Sequence, residues 1–87
     1  MKHKILLVED EADLGNVVKQ YLELMDFEVD WQQNGRTALE VFENTPEAYH
    51  ILLIDVNLPG LNGFELAERV VLKRRSCPRA RLFLGRD

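Results

Sequence analysis

Two short segments of this chain are apolar at every position, and the stretches around them carry apolar residues at helical spacing. Ile5-Leu6-Leu7-Val8 and Ile51-Leu52-Leu53-Ile54 read as strands covered on both faces, as in a parallel sheet. Leu14, Val18, Tyr21, Leu22 and Met25 recur at i, i+4, i+7, i+8 and i+11. That spacing predicts an amphipathic helix from about residue 12 to 25 with these residues as its apolar stripe. Gly15 interrupts it, at a cost of about 1 kcal/mol relative to alanine. Phe27, Val29 and Trp31 alternate with Glu28, Asp30 and Gln32, the pattern of a half-exposed edge strand. Asn34-Gly35 punctuates the chain, and Ala38, Leu39 and Phe42 give one face of a short helix ending near Asn44.

The second apolar strand follows a loop carrying Thr45-Pro46, and Leu58-Pro59-Gly60 then signals a turn. Asn62 suits a helix N-cap, with Glu65 three residues on. Leu66, Ala67, Val70 and Val71 predict the buried stripe of a third helix, which Pro78 must end. Arg81-Leu82-Phe83-Leu84 reads as a last short strand. The order β-α-β-α-β-α-β implies an α/β fold built on a parallel sheet with right-handed crossovers.

With 87 residues the chain makes one small domain, near the size at which burial becomes marginal. Its 46% hydrophobic and 30% charged residues suit a soluble globular protein. No apolar run approaches the ~20 residues of a membrane span. The Met-Lys-His-Lys start is followed by only Ile5–Val8 before acids begin, too short for a secretory signal. Cys77 is the single cysteine, which excludes an internal disulfide and fits a reducing compartment; a cytoplasmic location is expected. Charge is split: residues 1–68 hold fourteen acids against Lys2, Lys4, Lys19 and Arg36, whereas residues 69–87 hold seven bases against Asp87. No aromatic is interleaved with those bases before Phe83, so a solvated helix end is favoured and no direct nucleic-acid binding is expected.

Both apolar strands run directly into carboxylates. Glu9-Asp10-Glu11 follows the first and Asp55 the second. In open parallel sheets, ligands bind beyond the carboxyl ends of the strands. If the two strands are neighbours, their ends lie about 4.8 Å apart, and Glu9, Asp10 and Asp55 crowd together. Like charges so placed repel unless a cation joins them. Oxygen-only ligands select a hard ion, and a few carboxylates in an open site suit Mg²⁺. A carboxylate beside Mg²⁺ can accept a phosphoryl group and form an acyl phosphate. Glu11 and Asp13 are better read as acids of a helix's first turn, stabilised by its dipole.

Lys4-Ile5-Leu6-Leu7-Val8-Glu9-Asp10-Glu11, together with Ile54-Asp55-Val56-Asn57-Leu58-Pro59-Gly60-Leu61-Asn62-Gly63, resembles the receiver domain of two-component response regulators. The two motifs stand about 45 residues apart, and the resemblance covers residues 3 to about 76. It implies a flavodoxin-like (CheY-like) open parallel sheet, order 2-1-3-4-5 in a whole receiver and 2-1-3(-4) with three helices here. It also implies Asp55 as phosphoacceptor from a sensor histidine kinase, in a phosphoacceptor protein rather than an enzyme. Mg²⁺ would be held by Glu9, Asp10, Asp55 and the main-chain carbonyl of Asn57, with Leu58-Pro59-Gly60 shaping the neighbouring loop.

Receivers end the fourth strand on a Ser or Thr whose hydroxyl contacts the phosphoryl group; here the nearest position is Gly85. The fifth strand with its lysine, the switch aromatic and two further helices have no counterpart in residues 1–87. The expectation is therefore a partial receiver without an output domain, impaired in phosphorylation-dependent switching and prone to self-association through its incomplete sheet. A non-signalling interaction or assembly module, a decoy receiver, is the alternative, and a truncated fragment without independent role the third. His50 reads as a strand-start or surface residue and His3 as terminal and exposed. Trp31 reads as half-buried packing and Cys77 as a structural thiol.

Overall fold

A computed structural model describes residues 3–45, 48–55, 63–74 and 81–85. Seven elements alternate along them: β1 (Lys4–Val8), α1 (Ala12–Leu24), β2 (Glu28–Gln32), α2 (Gly35–Asn44), β3 (Ile51–Asp55), α3 (Gly63–Arg74) and β4 (Arg81–Gly85). The strands form one sheet in the order β2-β1-β3-β4, with every pair parallel. The expected order is therefore present, and β1 and β3 are neighbours. The turn at 58–60, the Asn62 cap, Cys77 and the Pro78 stop lie outside the described residues.

The continuous apolar runs are explained by position. β1 and β3 are interior strands, in register as Ile5↔Ile51, Leu6↔Leu52, Leu7↔Leu53 and Val8↔Ile54. Side chains alternate faces along a strand. Leu6, Val8, Leu52 and Ile54 therefore share one face, where Ala38 and Phe42 of α2 and Leu66 and Val70 of α3 close over them. All eight are essentially shielded from solvent. Tyr49 joins this core through its ring, tilted against Phe42, while its hydroxyl donates to the Asp30 carboxylate on β2. Burial, that hydrogen bond and the charges of Asp30 and Glu28 push the phenol above its usual range.

Ile5 and Leu7 point to the opposite face, over which α1 lies across β2 and β1. Here the expected stripe needs correction. Tyr21 and Met25 are 61% and 57% exposed, whereas Gly15 is buried and Leu14, Val18 and Leu22 are partly covered. The inward side of α1 is turned toward Gly15, because there the helix meets the Trp31 ring. Val71, at the edge of the α3 stripe, is likewise half-exposed, at 50%.

Local signals set the helix ends. α1 closes with Phe27 N–H donating to Leu22 O and Asp26 N–H to Glu23 O, both at 3.1 Å. Asp26 takes a left-handed φ of 71°, a conformation in which glycine or a short polar residue ends a helix. Asn34 caps α2, its side-chain oxygen accepting from Arg36 N–H at 2.7 Å.

Candidate metal centre

Because β1 and β3 run side by side in one direction, their carboxyl ends open on the same rim of the sheet. The chain leaves β1 at Glu9 and Asp10, and β3 closes on Asp55. One carboxylate oxygen of each lies within 4.8 Å of the others. Glu9 and Asp55 are buried, at 7% and 6% exposure, while Asp10 faces solvent. The crowding expected from strand adjacency is thus present. Three anionic groups this close, two of them shielded from water, oppose one another unless a positive charge sits among them. The donor set is oxygen only, which suits a hard divalent cation, and the exposed Asp10 side leaves room for retained water.

Glu9 is the most constrained of the three. Its N–H donates to Gln32 O at 3.0 Å, carrying the β1–β2 ladder one residue past the strand. Its carboxylate accepts from Glu11 N–H at 3.1 Å, and its carbonyl accepts from the Trp31 indole Nε1–H at 3.0 Å. The indole contact was not anticipated. Its one signal in the sequence is the glycine inside α1, which is costly for a helix and required by a ring beneath it.

The remaining candidates separate cleanly. Glu11 is the N-cap residue of α1 and Asp13 lies in its first turn; neither belongs to the acidic cluster. Asn57, whose carbonyl was expected among the ligands, lies outside the described residues. Gly85 is the register partner of Asp55, and a β-carbon added there would meet nothing within 4 Å. His50 begins at the opposite rim, where its Nδ1 accepts from Lys4 N–H at 3.2 Å and its ring meets His3 edge-on. Among the described residues no helix is long and apolar enough to cross a membrane.

Comparison with known proteins bears on the same elements. Response regulator RppA of Synechocystis sp. is 40% identical over 75 residues, which is 86% of this chain and 32% of RppA. The chain thus spans about a third of that relative's length. Among solved structures, response regulator protein TrrA of Thermotoga maritima in complex with Mg²⁺-BeF superposes with a TM-score of 0.82 at 31% identity. That match covers 97% of this chain and 68% of TrrA. A complex of histidine kinase ThkA with TrrA matches at a TM-score of 0.77 and 31% identity, over 97% of this chain and 67% of the other. The family model for the response regulator receiver domain runs over residues 5–82, from the first apolar strand into β4. Both acid-bearing strand ends fall inside that match, and the chain belongs to the receiver domains of two-component response regulators.

Proposed function

We propose that Asp55 is the phosphoacceptor of a two-component phosphorelay and that Glu9, Asp10 and Asp55, with the main-chain carbonyl of Asn57, hold Mg²⁺. The observation that carries this reading is the convergence of three carboxylates from β1 and β3 on one rim of the sheet. The Mg²⁺-BeF complex of TrrA, a protein 31% identical, supports the choice of ion. The ThkA–TrrA complex supports a sensor histidine kinase as donor, in a reaction we propose to take place in the cytoplasm. When bound, the ion would offset charge on the phosphoryl oxygens. The Asp55 carboxylate attacks phosphorus, the bond from phosphorus to the donor breaks, and an acyl phosphate remains on Asp55.

Phosphorylation of an isolated 87-residue chain is proposed to be slow. Gly85 stands beside Asp55 without a hydroxyl, and loss of one preorganised donor typically costs about 3 kcal/mol of transition-state stabilisation. Incubation with Mg²⁺ and acetyl phosphate, read by intact mass, tests both statements. The expected result is slow gain of one phosphoryl group, faster gain in Gly85→Thr and none in Asp55→Asn. Labelling that persists in Asp55→Asn would overturn the assignment. Rapid stoichiometric labelling of the unsubstituted chain would overturn the impairment.

A second reading, an assembly module that pairs with a second copy of itself, is favoured by the outward apolar residues of α1. Val17, Tyr21 and Leu24 lie at i, i+4 and i+7 and are all exposed. Sedimentation in dilute buffer decides it, since a compact monomer that unfolds cooperatively would rule it out.

A further inference from the structure

The geometry points to Trp31 as a positioning residue for the cation: its indole N–H fixes the main-chain carbonyl of Glu9 and thereby sets where the Glu9 and Asp10 carboxylates stand. This rests on the cation reading of the acidic cluster. Trp31 leaves β2 on the face that α1 covers and lies against Gly15. A β-carbon at position 15 would stand 2.1 Å from Trp31 Cζ2, 2.4 Å from Cε2 and 2.8 Å from Nε1. No side chain fits there without moving the ring or the helix, so glycine is what allows the indole to wedge between α1 and the sheet.

Held in that wedge, Nε1 donates to Glu9 O at 3.0 Å. The peptide linking Glu9 to Asp10 is the one whose orientation separates a buried carboxylate from an exposed one. Glu9 N–H, bonded to Gln32 O, fixes the near side of Glu9, and the indole fixes the far side. The Glu9 carboxylate is steadied in turn by Glu11 N–H. Ligands already held in place need less ordering when the ion arrives, so the site binds more tightly. Trp31 acts through Glu9 and is not itself a ligand of the ion.

Calorimetric titration of the 87-residue chain with Mg²⁺ tests the inference, with Trp31→Phe and Asp10→Asn as variants. Phenylalanine keeps an aromatic ring in the wedge and removes the donor. Trp31→Phe is expected to bind Mg²⁺ about fivefold more weakly, the effect of one lost hydrogen bond. Asp10→Asn should bind more weakly still. A purely structural role for Trp31 would lower the melting temperature and leave Kd unmoved; an unchanged Kd in folded Trp31→Phe therefore overturns the inference while the cation reading stands. An unsubstituted chain that binds no Mg²⁺ overturns that reading and the inference with it. If Trp31→Phe does not fold, the indole ¹H–¹⁵N resonance of the unsubstituted chain decides. A shift and slower hydrogen exchange with Mg²⁺ support the inference, and an indole resonance that stays fixed while the Glu9 and Asp10 amides move overturns it.

Discussion

The two faces of the sheet are built differently although the same strands supply both. Toward α2 and α3, Leu6, Val8, Leu52 and Ile54 meet Ala38, Phe42, Leu66 and Val70 in a closed apolar layer. Toward α1, Ile5 and Leu7 are covered, but their register partners Ile51 and Leu53 on β3 are only half-buried. At the centre of that side α1 contributes a glycine and β2 an indole, where the other side has Phe42 and Leu66 from its helices. The closed face holds the domain together, while the partly covered one places Glu9. Packing and site geometry are thus assigned to opposite sides of one strand, β1.

Core truncation on the closed face should have the largest effect. Phe42→Ala is expected to cost about 3–5 kcal/mol, a large part of what a small domain has, and to leave the chain largely unfolded by circular dichroism. A sharper contrast uses adjacent residues of β3. Leu52→Ala should cost about 2–5 kcal/mol in denaturant titration, and Leu53→Ala less than half of that. Equal losses would show that the α1 face is as tightly packed as the other, and the comparison would break.

The smallest expected effect is a dependence on pH through Tyr49. Its phenol holds its proton more tightly in the folded chain than in the unfolded one, for which the ordinary value is 10.0. Above that value the unfolded chain binds fewer protons, so stability falls as pH rises, by about 1 kcal/mol at a pH of about 11. Below it the contribution is fully present. Melting curves across that range should show the loss in the unsubstituted chain and a flatter response in Tyr49→Phe.

Much of the fold was legible because the strongest pattern has one physical meaning. Ile5–Val8 and Ile51–Ile54 lack polar positions because each is an interior strand, β1 covered on both faces and β3 fully on one and partly on the other, and Glu28–Gln32 alternates because it is an edge. The acidic rim followed from strand adjacency, since parallel neighbours deliver their last residues to the same place. Hydrophobic spacing alone could not say how α1 is rotated. Tyr21 and Met25 fit the stripe by periodicity, yet the helix turns instead toward the one position with no side chain, Gly15. Nor could it join Trp31 to Glu9, because that bond depends on the rotation. Tyr49 gave no periodic signal, standing between elements, and its burial arises from contact with Phe42 and Asp30.

The uniform strand direction also dictates how this domain can be handled. Lys4 opens β1 at one rim and the carboxylates sit at the other, about 15 Å away at the rise of an extended chain. A fluorophore or surface tether attached near His3 would leave the acidic mouth unobstructed. Gly85 is the register partner of Asp55, so a probe attached at Gly85 itself would instead stand at the acidic rim.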